Sequence, residues 1–179
     1  MTAATTIPFH TISLLVRNKP GVLVRVALVF SRRGYNIESL VVSPAMGQGE
    51  YDGIPITPGE FSRMTITCSG DPDNLGQIVK QLEKLIDVVT AIDHTGESVI
   101  ESELCLAKIK SGLDQRTALL QIAENFKAKV VDYGSDSMIL RCAGESDKID
   151  AMVALLRPYG IVEMVRSGKI LMARGLAAT

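Results

Sequence analysis

The stretch Met64-Thr65-Ile66-Thr67-Cys68-Ser69-Gly70-Asp71 has a counterpart in Met138-Ile139-Leu140-Arg141-Cys142-Ala143-Gly144-Glu145. With the offset held, Leu75, Ile78, Val79 and Leu82 fall on Ile149, Met152, Val153 and Leu156. The first part of each copy alternates as a strand does, and the second recurs with the period of a helix face. A repeat that keeps both periods in the same order points to two copies of one small supersecondary unit.

The rest of the chain fills in that unit. In the first half, alternation predicts strands over 10–16, 36–43 and 63–68 and near 88–92. A helix runs over 22–30 on Val22, Leu23, Val26, Ala27 and Phe30, with Arg25 off most of that stripe. A second helix opens at Asp71-Pro72-Asp73 and is carried by Leu75, Ile78, Val79, Leu82 and Leu85. The order is βαββαβ. In the second half, strands are expected near 104–109, 129–133, 137–142 and 161–165, with helices near 114–126 and 146–156. The reading is α+β, two ferredoxin-like domains in tandem. It assigns 8–95 to the first, 96–102 to a linker and 103–179 to the second.

The two copies differ in one place. Their early elements align at a larger offset than their late ones, and the surplus falls between Ser43 and Arg63. Pro44, Gly47, Gly49, Gly53, Pro55, Pro58 and Gly59 give this stretch loop chemistry. A loop of that length in a small domain is either functional or disordered. Its glycines match neither the P-loop nor the dinucleotide spacing, and no Lys-Ser or Lys-Thr follows.

Composition limits function. At 179 residues the chain suits one domain or two small ones, and with 4% aromatic residues and no Trp its core rests on Val, Ile, Leu and Met. A formal net charge of -1 supplies no long-range field for nucleic acid or an anionic membrane. Cys68, Cys105 and Cys142 are odd in number, widely spaced and set in apolar runs, as buried thiols in a reducing compartment would be. The start of the chain lacks the basic and apolar regions of a signal peptide, and no run approaches a membrane span. A cytoplasmic protein is expected. His10 and His94 are too few for a metal centre, and a structural role is the simpler reading of both. No nucleophile, proton-transfer pair or metal cluster emerges, so no catalytic residue and no metal ligand is assigned.

The turn Asn18-Lys19-Pro20-Gly21-Val22-Leu23 is the candidate site. Gly21 would let a ligand approach the backbone, and the N–H groups of Gly21, Val22 and Leu23 open the first helix toward an anion. The Asn18 amide offers a donor and an acceptor, suited to an amino acid's charged ends. Spacing alone favours the plainer reading, in which Asn18 closes the turn and Pro-Gly punctuates it. Asn36 stands at a helix-to-strand corner, and Ile37 fits core or pocket wall.

Asn18-x-x-Gly21-Val22-Leu23, then Arg33-Gly34-Tyr35-Asn36-Ile37-Glu38-Ser39-Leu40 and Ser62-Arg63-Met64-Thr65-Ile66, resemble the regulatory (small) subunits of acetolactate synthase, also called acetohydroxyacid synthase. The Lys80–Leu85 helix and the closing Arg166-Ser167-Gly168 and Arg174-Gly175 fit the same pattern. The resemblance implies an amino-acid-sensing ACT domain followed by a related ferredoxin-like domain, and no active site. It implies association with a catalytic large subunit, activation of that subunit and feedback inhibition by valine, with partial responses to leucine or isoleucine. Thiamine diphosphate, magnesium and FAD would belong to the partner, and this chain would bind no cofactor. It further implies a homodimer through the ACT domains, with Asn18, Gly21, Val22 and Leu23 on one side of the effector and Asn36 and Ile37 reaching it from the facing protomer. The insert from Pro44 to Glu60 and the apolar tail Lys169–Ala173 depart from the common pattern. A free-standing ACT-type sensor of another enzyme or of gene expression is the alternative.

Overall fold

The computed structural model describes residues 8–46, 49–51 and 53–175. The N-terminal stretch without signal-peptide character, Gly47 of the insert and residues 176–179 lie outside the described residues. Chain contacts divide the protein into two units, one of residues up to 100 together with those from 171, the other of 101–170.

In the first unit, β1 (Phe9–Arg17), α1 (Val22–Arg32), β2 (Asn36–Pro44), β3 (Gly49–Tyr51), β4 (Ile54–Ile56), β5 (Phe61–Ser69), α2 (Leu75–Leu82) and β6 (Val88–Asp93) succeed one another in that order. Strands β2, β5, β1 and β6 form a four-stranded antiparallel sheet, neighbours being given in sequence. Alternation along β1 turns Ile12, Leu14 and Val16 to one face, where Val22, Val26 and Phe30 of α1 and Ile78 and Leu82 of α2 meet them. Each of these large side chains contributes about 1.5–3 kcal/mol by leaving water. The other face is closed at its centre too, since Ser13, Leu15, Thr65 and Thr67 are all buried.

The helices differ from expectation at their ends. Pro72–Asn74 forms a 3-10 turn capped by Asp71, whose carboxylate accepts from the Asp73 N–H at 3.0 Å. Helix α2 stops at Leu82 because the chain turns there, with Leu85 N–H donating to Leu82 O, although Leu85 still packs on the core. The insert, expected as loop, carries the hairpin β3–β4, with Gly49 opposite Ile56 and Tyr51 opposite Ile54. Gly53, at φ 81°, supplies the left-handed residue that a tight hairpin turn needs.

The second unit repeats the order. Strand β7 (Val99–Lys110), which enters it at Glu101, leads to α3 (Arg116–Asn125), β8 (Lys129–Tyr133), β9 (Ser137–Gly144), α4 (Ser146–Leu156) and β10 (Ile161–Arg166), and β11 (Ile170–Ala173) leaves it after Ile170. The sheet order is β10, β7, β9, β8, and β11 also pairs with β7. Cys105, Ala107 and Ile109 of β7 and Met138, Leu140 and Cys142 of β9 face Leu119, Ile149, Met152 and Leu156 of the two helices. Helix α3 begins at Arg116 rather than near Asp114, because Gln115 N–H closes a turn onto Gly112 O. Across this unit the Arg166 guanidinium binds the carboxylates of Glu103 and Asp150. Burial of Glu103 makes that pairing obligatory. The α+β architecture of two ferredoxin-like domains is the one the repeat predicts.

Candidate functional site

Strand β1 ends at Arg17, and two backbone bonds lock its exit into the turn. Arg17 N–H donates to Asp87 O at 2.8 Å and Asn18 N–H to Glu60 O at 2.7 Å. The Asn18 side chain donates from Nδ2 to Gly59 O at 3.1 Å, which leaves its Oδ1 to accept from an ammonium group. Gly21 caps α1 with φ 82°, and a Cβ there would meet nothing within 4 Å. Glycine is therefore demanded by backbone conformation, and open space lies beside it. The Val22 N–H only grazes Lys19 O at 3.4 Å, while those of Leu23 and Val24 have no backbone acceptor among the described residues. The arrangement offers donors for a carboxylate and an acceptor for an ammonium.

The side chains divide. Val22 is buried in the core and can offer a ligand only its N–H, whereas Leu23 is 42% exposed beside the turn. Ile37 is half-buried against the same core. Asn36 is exposed, donating from Nδ2 to Glu38 Oε1 at 2.7 Å, and Ser69 Oγ donates to the same oxygen at 2.6 Å. These two bonds, that from Ser69 the stronger influence, hold the Glu38 carboxyl below its usual pKa.

Within one chain the two halves of the candidate site are apart. Asn36 pairs with Ser69, which also pairs with Phe9 at the start of β1, while Asn18 comes directly after the far end of that strand. At strand rise, the separation is on the order of 25 Å. Asn18, Gly21, Val22 and Leu23 share one end of the sheet, and Asn36 and Ile37 sit at the other.

Sequence reasoning missed several neighbours of the turn. Arg25 forms an ion pair with Asp87, and the Arg17 guanidinium lies 5.9 Å from the centre of the Phe61 ring. Gly59 and Glu60, the last residues of the insert, hold Asn18 in place. The Pro58-Gly59 turn signal marked a bend there, but only the ladder shows where it leads. On the sheet face away from α1, Leu15, Arg63, Met46 and Ile56 help to line an open groove of about 580 Å³. His94, read as structural, donates from Nδ1 to Glu97 Oε2 at 2.8 Å, and its Nε2 lies 2.8 Å from Ser13 Oγ. His10 Nε2 lies 3.2 Å from Gly70 O. The three cysteines are buried and unbridged. Among the described residues no cluster of three or more metal-binding side chains occurs, and no helix is long and apolar enough to cross a membrane.

Comparison with known proteins decides what this geometry belongs to. Residues 12–90 match the model of an AHAS small subunit-like ACT domain, and residues 102–175 match that of the small subunit of acetolactate synthase. The chain belongs to the acetolactate synthase small-subunit family. A probable acetolactate synthase small subunit of Archaeoglobus fulgidus is 44% identical over 166 residues, covering 93% of this chain and 97% of that one. The acetolactate synthase small subunit of Mycolicibacterium smegmatis is 39% identical, covering 94% and 92%. The crystal structure of the Thermotoga maritima acetolactate synthase small subunit superposes with a TM-score of 0.75 at 33% identity, over 96% of this chain and all of that one. In this small-subunit chain both candidate half-sites, 18–23 and 36–37, fall within the matched ACT region.

Proposed function

We propose that the chain is a non-catalytic regulatory subunit, which binds the catalytic large subunit of acetolactate synthase, raises its activity and makes it sensitive to valine. One observation carries this reading. The turn 18–23 presents a helix start with open amides at one end of the first sheet, and Asn36 stands at the opposite end, on the edge strand β2. If β2 pairs antiparallel with the β2 of a second copy, Asn36 and Ile37 of one protomer approach the turn of the other. A homodimer through the ACT domains then builds two equivalent sites, each completed by both protomers.

Valine suits such a site. Its carboxylate would accept from the open amides of α1, its ammonium would donate to Asn18 Oδ1, and its side chain would lie between Leu23 and the Ile37 that the second copy brings. A pocket of this type distinguishes aliphatic side chains differing by a methylene by only about 1–3 kcal/mol, so leucine or isoleucine would act more weakly. Binding across protomers stabilises one dimer geometry, and that preference passes to the attached enzyme insofar as its two states bind valine unequally. Thiamine diphosphate, magnesium and FAD are assigned to the catalytic chain, and the complex to the cytoplasm.

The test is reconstitution. Catalytic subunit assayed alone, with this chain, and with this chain plus L- or D-valine should show activation that only L-valine reverses. Absence of activation would overturn the regulatory reading, and activation insensitive to L-valine would overturn the effector.

A further inference from the structure

The end of β7 reproduces the end of β1 bond for bond. As Arg17 and Asn18 donate to Asp87 O and Glu60 O, Lys110 donates to Gly160 O at 3.0 Å and Ser111 to Asp136 O at 2.9 Å. The last ladder pairs agree: Arg17 faces Phe61 as Lys110 faces Ser137, and Val16 faces Val88 as Ile109 faces Ile161. Ser111 therefore holds in the second unit the place of Asn18 in the first, one turn ahead of a helix start.

Its chemistry is unsatisfied. Ser111 is 1% exposed, and its Oγ has no hydrogen-bond partner among the described residues. A second orphan lies across the same turn. Arg116, the first residue of α3, has a buried Nε without a partner, while its Nη2 donates to Gly134 O at 2.6 Å and to Ser135 O. Buried polar groups in folded proteins are nearly all paired, so two orphans at the two ends of one four-residue turn call for a partner from outside the chain. Both groups donate, and the free first-turn amides and dipole of α3 add to them. The acceptor that fits is anionic. Leu113 is 84% exposed on the turn, and Leu120, 40% exposed, is one helical turn beyond Arg116, so apolar surface adjoins the donors.

We propose that the second unit has its own binding site for a small aliphatic carboxylate, held by Ser111, Arg116 and the start of α3. Both orphan atoms are closed to solvent, so the turn from Gly112 to Gln115 moves aside as the ligand enters. No residue of this site belongs to the valine turn, and the two readings stand or fall separately.

The test uses the full chain carrying Asn18→Ala, titrated with isovalerate and, as neutral control, isovaleramide, by calorimetry and amide NMR. Saturable binding of isovalerate alone is expected, with shifts centred on residues 111–120. Arg116→Gln also frees the 134–135 turn, so Ser111→Ala carries the decision. It removes one unpaired hydroxyl, so the ligand-free Tm should hold or rise while affinity falls roughly tenfold. No saturable binding at millimolar isovalerate, or binding that Ser111→Ala leaves unchanged, overturns the site.

Discussion

Gly70 lies against the face of the Tyr35 ring, so closely that a Cβ at position 70 would sit 2.5 Å from Tyr35 Cδ1. The ring is buried at the helix-to-strand corner that launches β2, and its hydroxyl donates to Asp71 O. Burial comes first, and the nearby Asp71 next, in raising the pKa of the phenol. The contact fixes where the edge strand bearing Asn36 begins.

Gly70→Ala should therefore cost about 1–3 kcal/mol, the range for overpacking a filled site. Urea unfolding of the full chain would measure it. A loss indistinguishable from zero would mean that Tyr35 can swing out freely, and that the corner is not held by this contact.

Ser13→Ala should leave His94 Nε2 unpaired in a buried setting while Nδ1 keeps Glu97. The expected loss is about 1–3 kcal/mol, with the Glu97→Gln change costing less because that carboxylate is more than half exposed. Equal costs for the two variants would contradict the assignment of burial to one end of this chain of bonds.

The shared-site reading makes a prediction about mixtures. Asn18→Ala and Asn36→Ala dimers should each lose valine response while still assembling with the catalytic subunit. Mixed and re-annealed, they should form heterodimers with one intact site, pairing Asn18 of one chain with Asn36 of the other. Partial recovery of inhibition in the assay supports a site across protomers, and no recovery rejects it.

Titration of buried thiols should shape the alkaline limb of stability. Burial pushes the Cys68 thiol up to about 12 from 9.0, with Asp93 and Glu38 adding to it, and burial raises Cys105 as well. Because the folded pKa is the higher, this contribution is full below pH 9 and is lost between 9 and about 12 as the unfolded thiol ionises. Glu38 works the other way: its folded pKa is lowered, so its contribution is present above 4.5 and lost as pH falls below that value. Cys68→Ser should flatten the alkaline limb, and a wild-type limb of the same slope would refute the assignment. Native thiols should also react slowly with an aromatic disulfide at pH 8.

The α+β class, the doubled βαββαβ order and the helix-start turn were legible in the sequence because each rests on short-range physics. Period, turn chemistry and glycine placement act within a few residues, and Gly21 at φ 82° is such a case. Element ends were less legible, since Leu85 and Asp114 continue an apolar or capping pattern into turns closed by backbone bonds. The insert read as loop, yet its last two residues supply the carbonyls that hold Asn18. The tertiary structure alone decided that Asn18 and Asn36 occupy opposite ends of one sheet, and that Ser111 is the counterpart of Asn18. Both facts depend on ladder register between strands tens of residues apart, which no local pattern encodes. Local propensity set the parts, and long-range pairing set which donors face a ligand.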